Sequence, residues 1–153
     1  MSMSDVEQEI QTLTISREIE IAAPIEIAFE AMLKEIGPDG EMPGGKPFPM
    51  VVEQWPGGRW YRDLGDNAGH LWGHVQVIKP PTLLELSGPM FMSFPAINHV
   101  QYRLTADGAG TRLKFTHRAM GPIPEEVREG VGHGWEYGLK RIDEIASRLV
   151  AER

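Results

Sequence analysis

A chain of 153 residues is long enough for one well-buried core and short for two, and 41% hydrophobic with 24% charged residues is ordinary globular composition. A formal net charge of −7 with scattered Lys and Arg argues against nucleic acid as a partner, and no apolar run reaches the ~18 residues of a membrane-spanning helix. The absence of cysteine removes disulfides, thiolate nucleophiles and Cys-based zinc sites, and a polar, acidic start in place of a secretory signal points to the cytoplasm.

Residues 1–12 read as a flexible polar leader and 13–150 as a single domain. Over 13–21, apolar Leu13, Ile15, Ile19 and Ile21 alternate with polar residues, interrupted only by Arg17, which predicts a half-buried strand. Pro24 then opens a short helix with an apolar stripe of Ile25, Ala28, Phe29, Met32 and Leu33. Four glycines and four prolines within 37–49 predict a loop. Beyond it, short apolar runs at 50–55, 59–63, 70–78, 83–87, 98–105 and 111–119 follow one another too closely for crossover helices, so they predict an antiparallel meander. The last two runs join through a turn at 107–110. A long helix over 125–150 closes the chain, its stripe carried by Val127, Val131, Trp135, Leu139, Ile142, Ala146 and Leu149.

Pairing about the 107–110 turn sets Leu104 opposite Leu113, Tyr102 opposite Phe115 and Val100 opposite His117, with all six on the inner face. The terminal helix also carries Gly130, Gly132, Gly134 and Gly138, each costing about 0.5–1 kcal/mol relative to Ala. Such a helix either leaves room between itself and the sheet or starts late or kinks. The segments 89–95 and 119–124 place Met90, Phe91, Met92, Phe94, Met120 and Ile123 where loops are normally polar. Exposed apolar loops of this kind mark a binding mouth or an interface, or else fold back as a plug on the core.

Five motifs occur along this chain: PGGRW at 56–60, WGHV at 72–75, KPP at 79–81, Gly110 with Thr111, and Gly134 with Trp135 followed by Leu139. Together with the order of elements they resemble the START and polyketide-cyclase-like (SRPBCC) superfamily, in the branch named after the activator of heat-shock-protein-90 ATPase homologue. The resemblance spans about residues 14–149. It implies an α+β helix-grip fold, in which a curved antiparallel sheet of six to seven strands wraps the long C-terminal helix around a cavity. Members bind lipids, polyketides, hormones or other hydrophobic molecules, some are cyclases or dehydratases, and the eponymous activators bind a chaperone.

Three readings of function follow. In the first, a small, mainly hydrophobic molecule occupies the cavity, contacted by Tyr102, Phe115, His117, Trp135, Trp60, Met90, Phe91, Met92, Phe94 and Met120. In the second, a cyclase- or dehydratase-like enzyme uses His117 as general acid or base, with Tyr102 as a neighbouring donor; a lone inward His is more often a hydrogen-bonded core residue, so binding ranks above catalysis. In the third, the apolar loops dock a chaperone or a second copy of the chain as a homodimer. No cofactor is expected. His70, His74, His99 and His133 form no recognisable metal set, and Gly57 and Gly58 lack the strand-to-helix context of a phosphate loop. Trp60, Trp72 and Trp135 either line the cavity or build its walls. Glu136 and Arg141 read most simply as solvated helix residues, or else as ligand contacts near the helix edge, and Arg59 as a cation able to pair with a carboxylate ligand, its face left open by the adjacent Trp60 and Tyr61.

Overall fold

The computed structural model describes residues 9–153. Most of the expected leader therefore lies outside the described residues, but Gln11 and Thr12 already belong to the first strand. In chain order the elements are β1 (Gln11–Ile21), α1 (Ile25–Glu35), β2 (Glu41–Met42), β3 (Lys46–Pro47), β4 (Val51–Val52), β5 (Arg59–Gly65), β6 (Ala68–Lys79), β7 (Leu83–Gly88), β8 (Ile97–Asp107), β9 (Gly110–Gly121) and α2 (Glu125–Ala151). Seven strands form one antiparallel sheet in the order β1-β9-β8-β7-β6-β5-β4, while β2 and β3 pair separately. The first strand thus flanks the last.

Both helices pack on one face of this sheet. Inward residues of the strands, including Leu84, Val100, Tyr102, Leu104, Leu113 and Phe115, share one core with Phe29 and Met32 of α1 and Leu139, Ile142, Ile145 and Leu149 of α2. The register about the Asp107–Gly110 pair places Leu104 against Leu113, Tyr102 against Phe115 and Val100 against His117, as alternation predicts. Thr111, buried at the start of β9, donates from its Oγ1 to the Ala23 carbonyl at 2.8 Å and so ties the entry of α1 to the sheet. This is the helix-grip fold.

Three register shifts, between Trp60 and Tyr61, between Asp63 and Gly65 and between Val75 and Val77, bend β5 and β6. Bulges increase twist and curl the strand, so this end of the sheet departs from a flat layer. Gly73 and Gly88 meet here: a Cβ on Gly73 would sit 2.5 Å from the Ser87 carbonyl oxygen, so only glycine allows the two strands to approach.

Several boundaries differ from expectation for local reasons. The run 50–55 shrinks to the two-residue β4, because the chain turns through Glu53–Gly58 and leaves Trp55 exposed. The loop 37–49 contains the β2–β3 hairpin, which its prolines confine to two residues a side. Pro24 and Pro124 sit at the N-cap positions, one residue before their helices. Among the described residues, no helix is long and apolar enough to cross a membrane.

Candidate functional site

All four glycines of α2 lie inside the helix, since it starts at Glu125. A Cβ added at Gly130 or Gly134 would meet nothing within 4 Å. The space in front of them is a cleft of about 770 Å³, bounded by the N-terminal half of α2, the end of α1, the 40–50 segment, the inner face of β5 and β6, and Met90 and Phe91 after β7. That volume suits a small organic molecule. The glycines therefore leave room, as one of their two readings held.

Aromatic rings build the wall opposite the helix. Trp72 lies 5.2 Å from Trp60, 5.8 Å from Phe48 and 5.9 Å from Phe91, in tilted or edge-on contacts. Trp60 is held from behind: its indole N–H donates to the Ile36 carbonyl at 2.9 Å. Trp135 closes the side nearest the core, 4.6 Å from Phe115.

Few polar groups interrupt this lining. Arg62, on β5 directly opposite His70 of β6, lays its guanidinium over the Phe48 ring at 3.9 Å, and its Nη1 is buried without a hydrogen-bond partner. Glu35, the last residue of α1, also lines the cleft. Burial pushes its carboxyl up to about 8, against the pull of Arg141, so it is protonated at neutral pH. At the rim Glu41 accepts from the Tyr137 hydroxyl at 2.8 Å and pairs with Arg141 at 3.2 Å. Arg141 also donates to the Asp39 carbonyl at 2.9 Å. It is thus no solvated helix residue, as its sequence position suggested, but a pin that holds the 39–41 segment against α2.

Of the residues expected to contact a ligand, Trp60, Trp135, Met90 and Phe91 line the cleft, and the others do not. Tyr102 and Phe115 are fully buried core, stacked edge-on at 5.1 Å beneath Trp135. Met92 joins Ala119 and Ile123 in a second small core, with Phe94 packed against it, so this half of the 89–95 loop is a plug. Met120 is a β9 residue opposite Thr12 and Ile97, half exposed and away from the cleft. In each case parity or loop composition located a face, and only packing decided whether that face met empty space.

His117 is inward and wholly buried, as predicted, yet it is sealed off from the cleft. The Trp135 indole N–H donates to its Nδ1 at 2.9 Å, and an indole can only donate, so the proton sits on Nε2 and is given to Asn98 Oδ1 at 2.7 Å. The Asn98 amide in turn donates to the Pro89 carbonyl at 3.2 Å. Burial lowers the imidazole to about 4, keeping it neutral. Both ring nitrogens are occupied by hydrogen bonds within the protein and His117 is not among the residues lining the cleft, which argues against the general acid or base role. Tyr102 makes no hydrogen bond to it.

Arg59 points away from the cleft and pairs with Glu53 at 2.8 Å. The cation of the cleft is Arg62, which the sequence reading passed over. Had Trp60 been assigned inward, alternation would have carried Arg62 to the same face. Glu35 also had a signal: it continues the α1 stripe through Ile25, Ala28 and Met32 at spacings of three and four, a carboxylate at a core-facing position.

Solved structures share this architecture. An uncharacterised protein of Rhizobium leguminosarum superposes with a TM-score of 0.68 at 16% identity, over 94% of this chain and 99% of its own. CalU16 of Micromonospora echinospora gives 0.63 at 21% identity, covering 95% and 88%. Protein CV1439 of Chromobacterium violaceum gives 0.68 at 18% identity, covering 87% and 96%. At these identities the likeness concerns the fold alone. No curated protein matches the sequence. The family model described as activator of Hsp90 ATPase homolog 1-like protein matches residues 46–147, from β3 nearly to the end of α2, and the chain belongs to that family.

Proposed function

We propose that this protein binds a small, mainly hydrophobic molecule in the cleft between α2 and the β5–β6 end of the sheet. The observation that carries the reading is the pairing of an aromatic wall with a helix that keeps glycine at Gly130 and Gly134, where an added Cβ would meet nothing within 4 Å. Each of these glycines costs helix stability, and an unfilled apolar space forfeits packing contacts. A bound molecule offsets both. Its partner is therefore a small molecule, and the cysteine-free chain suits work in the cytoplasm.

Native mass spectrometry of freshly purified protein tests the proposal, with a mass excess that disappears on denaturation as the expected result. Thermal-shift screening of hydrophobic acids and phenols should raise the melting temperature with ligand concentration. Gly134→Leu projects a side chain into the cleft and is expected to weaken both signals while the protein stays folded. Ligand affinity unchanged in that variant would place binding elsewhere and end the proposal.

A further inference from the structure

Arg62 differs from the other arginines near it in having no carboxylate partner, although it shares with Arg141 an enclosed nitrogen that lacks an acceptor. Arg59, three residues earlier on the same strand, has Glu53 at 2.8 Å, and Arg141 beside the cleft has Glu41 at 3.2 Å. Arg62 has neither a carboxylate nor any other acceptor among the described residues, although it is half-buried and one of its nitrogens is fully enclosed. Among the described residues its guanidinium lies over the Phe48 ring, whose centroid is 3.9 Å from the guanidinium carbon. Cation–π stacking holds the fork flat but satisfies none of its N–H groups. A cation in an apolar pocket without a counter-charge is unfavourable, and an enclosed donor without an acceptor adds to the penalty.

The other charges of the cleft do not compensate it. Glu41 is committed to Arg141 and Tyr137. Burial biases the Glu35 carboxyl toward its neutral form, and it forms no ion pair with Arg62. Glu126 stands exposed at the mouth. Of the two arginines at the cleft, Arg62 is thus the one without a carboxylate partner among the described residues. A monoanion neutralises it, whereas a dianion would leave a buried negative charge of its own.

Resting on the binding reading above, we infer that the cleft selects hydrophobic molecules bearing a single negative charge, a carboxylate or its equivalent, with the Arg62 guanidinium as the seat of the anion and the aromatic wall as the seat of the skeleton. The net charge of −7 works against anions in general. A preference for an anionic ligand would therefore report this local cation rather than the field of the whole molecule.

Two fluorescent probes with a common skeleton test it. Anilinonaphthalene sulfonate carries one negative charge and N-phenylnaphthylamine carries none. Titration of the full chain at neutral pH should show the sulfonate bound at least about tenfold more tightly, the range of one charge-assisted hydrogen-bonded contact. Arg62→Gln should bring the two affinities together while leaving that of the neutral probe unchanged. Arg62→Lys, which keeps the charge but loses the planar fork, should retain part of the preference. Gly134→Leu should weaken the binding of both probes. Equal affinities in the wild-type protein, or full preference retained in Arg62→Gln, would overturn the anion seat while leaving the binding reading intact. Failure of both probes to bind the wild-type protein would overturn the two together.

Discussion

The C-terminal and N-terminal halves of α2 cover the same sheet with opposite results. From Leu139 onward the helix presents Ile142, Ile145, Ala146 and Leu149 to strands that answer with Leu104 and Leu113, and every one of these side chains is buried. From Glu126 to Gly138 it presents Gly130 and Gly134 to the curled β5–β6 end, where Trp60, Trp72 and Phe48 stand back from it. Trp135 and His117 form the seam between the two, hydrogen-bonded across 2.9 Å. One continuous helix therefore serves as both core and cleft wall, and the difference lies in side-chain volume on one side and sheet curvature on the other.

The sharpest test of this contrast removes an aromatic ring from each half. Phe115→Ala in the solid half should cost about 3–5 kcal/mol in denaturant unfolding. Phe91→Ala at the rim of the cleft, where 36% of the residue is already exposed, should cost under about 1 kcal/mol and weaken ligand instead. Similar stability losses in both would break the distinction.

The seam comes next. His117→Ala orphans the Trp135 indole N–H and the Asn98 carbonyl oxygen, each worth about 1–3 kcal/mol when left unpaired in a buried site. A catalytic His would instead lower turnover with little effect on melting, so stability and activity measured on one preparation separate the roles.

Smaller effects follow from pH. Glu35 ionises near 4.5 in the unfolded chain and near 8 in the fold, so the folded state holds the extra proton across that window and stability falls as pH rises through it. His117 works in the opposite sense: the unfolded chain takes up its proton near 6.5 and the fold only near 4, so its contribution is present above 6.5 and lost as pH falls toward 4. Between pH 6.5 and 8 the Glu35 slope stands apart from that of His117. Urea midpoints at those two pH values should drop in the wild-type protein and much less in Glu35→Gln.

The smallest expected change is a gain. Gly134→Ala adds a methyl group to open space and should stabilise the helix by about 0.5–1 kcal/mol. Calorimetry showing a loss would mean that the space in front of Gly134 is already filled.

Much of the architecture was legible in the residues. Period-two alternation assigned the facing pairs of β8 and β9, and the three- and four-residue spacing assigned α2 almost to its ends, because both patterns are local consequences of backbone geometry meeting a single buried face. The same logic brought His117 inward. What it could not supply was distance. Tyr102, Phe115 and Trp60 face α2 from the sheet and Trp135 faces the sheet from α2, yet the first two are core while Trp60 and Trp135 line a cleft. That outcome depends on three bulges and the glycines facing them, whose combined effect on spacing is a property of the packed whole. The cation of the site was hidden for the same reason: the face of Arg62 follows from that of Trp60, and Trp60 turns inward because its indole reaches a carbonyl at the end of a helix 24 residues away in sequence.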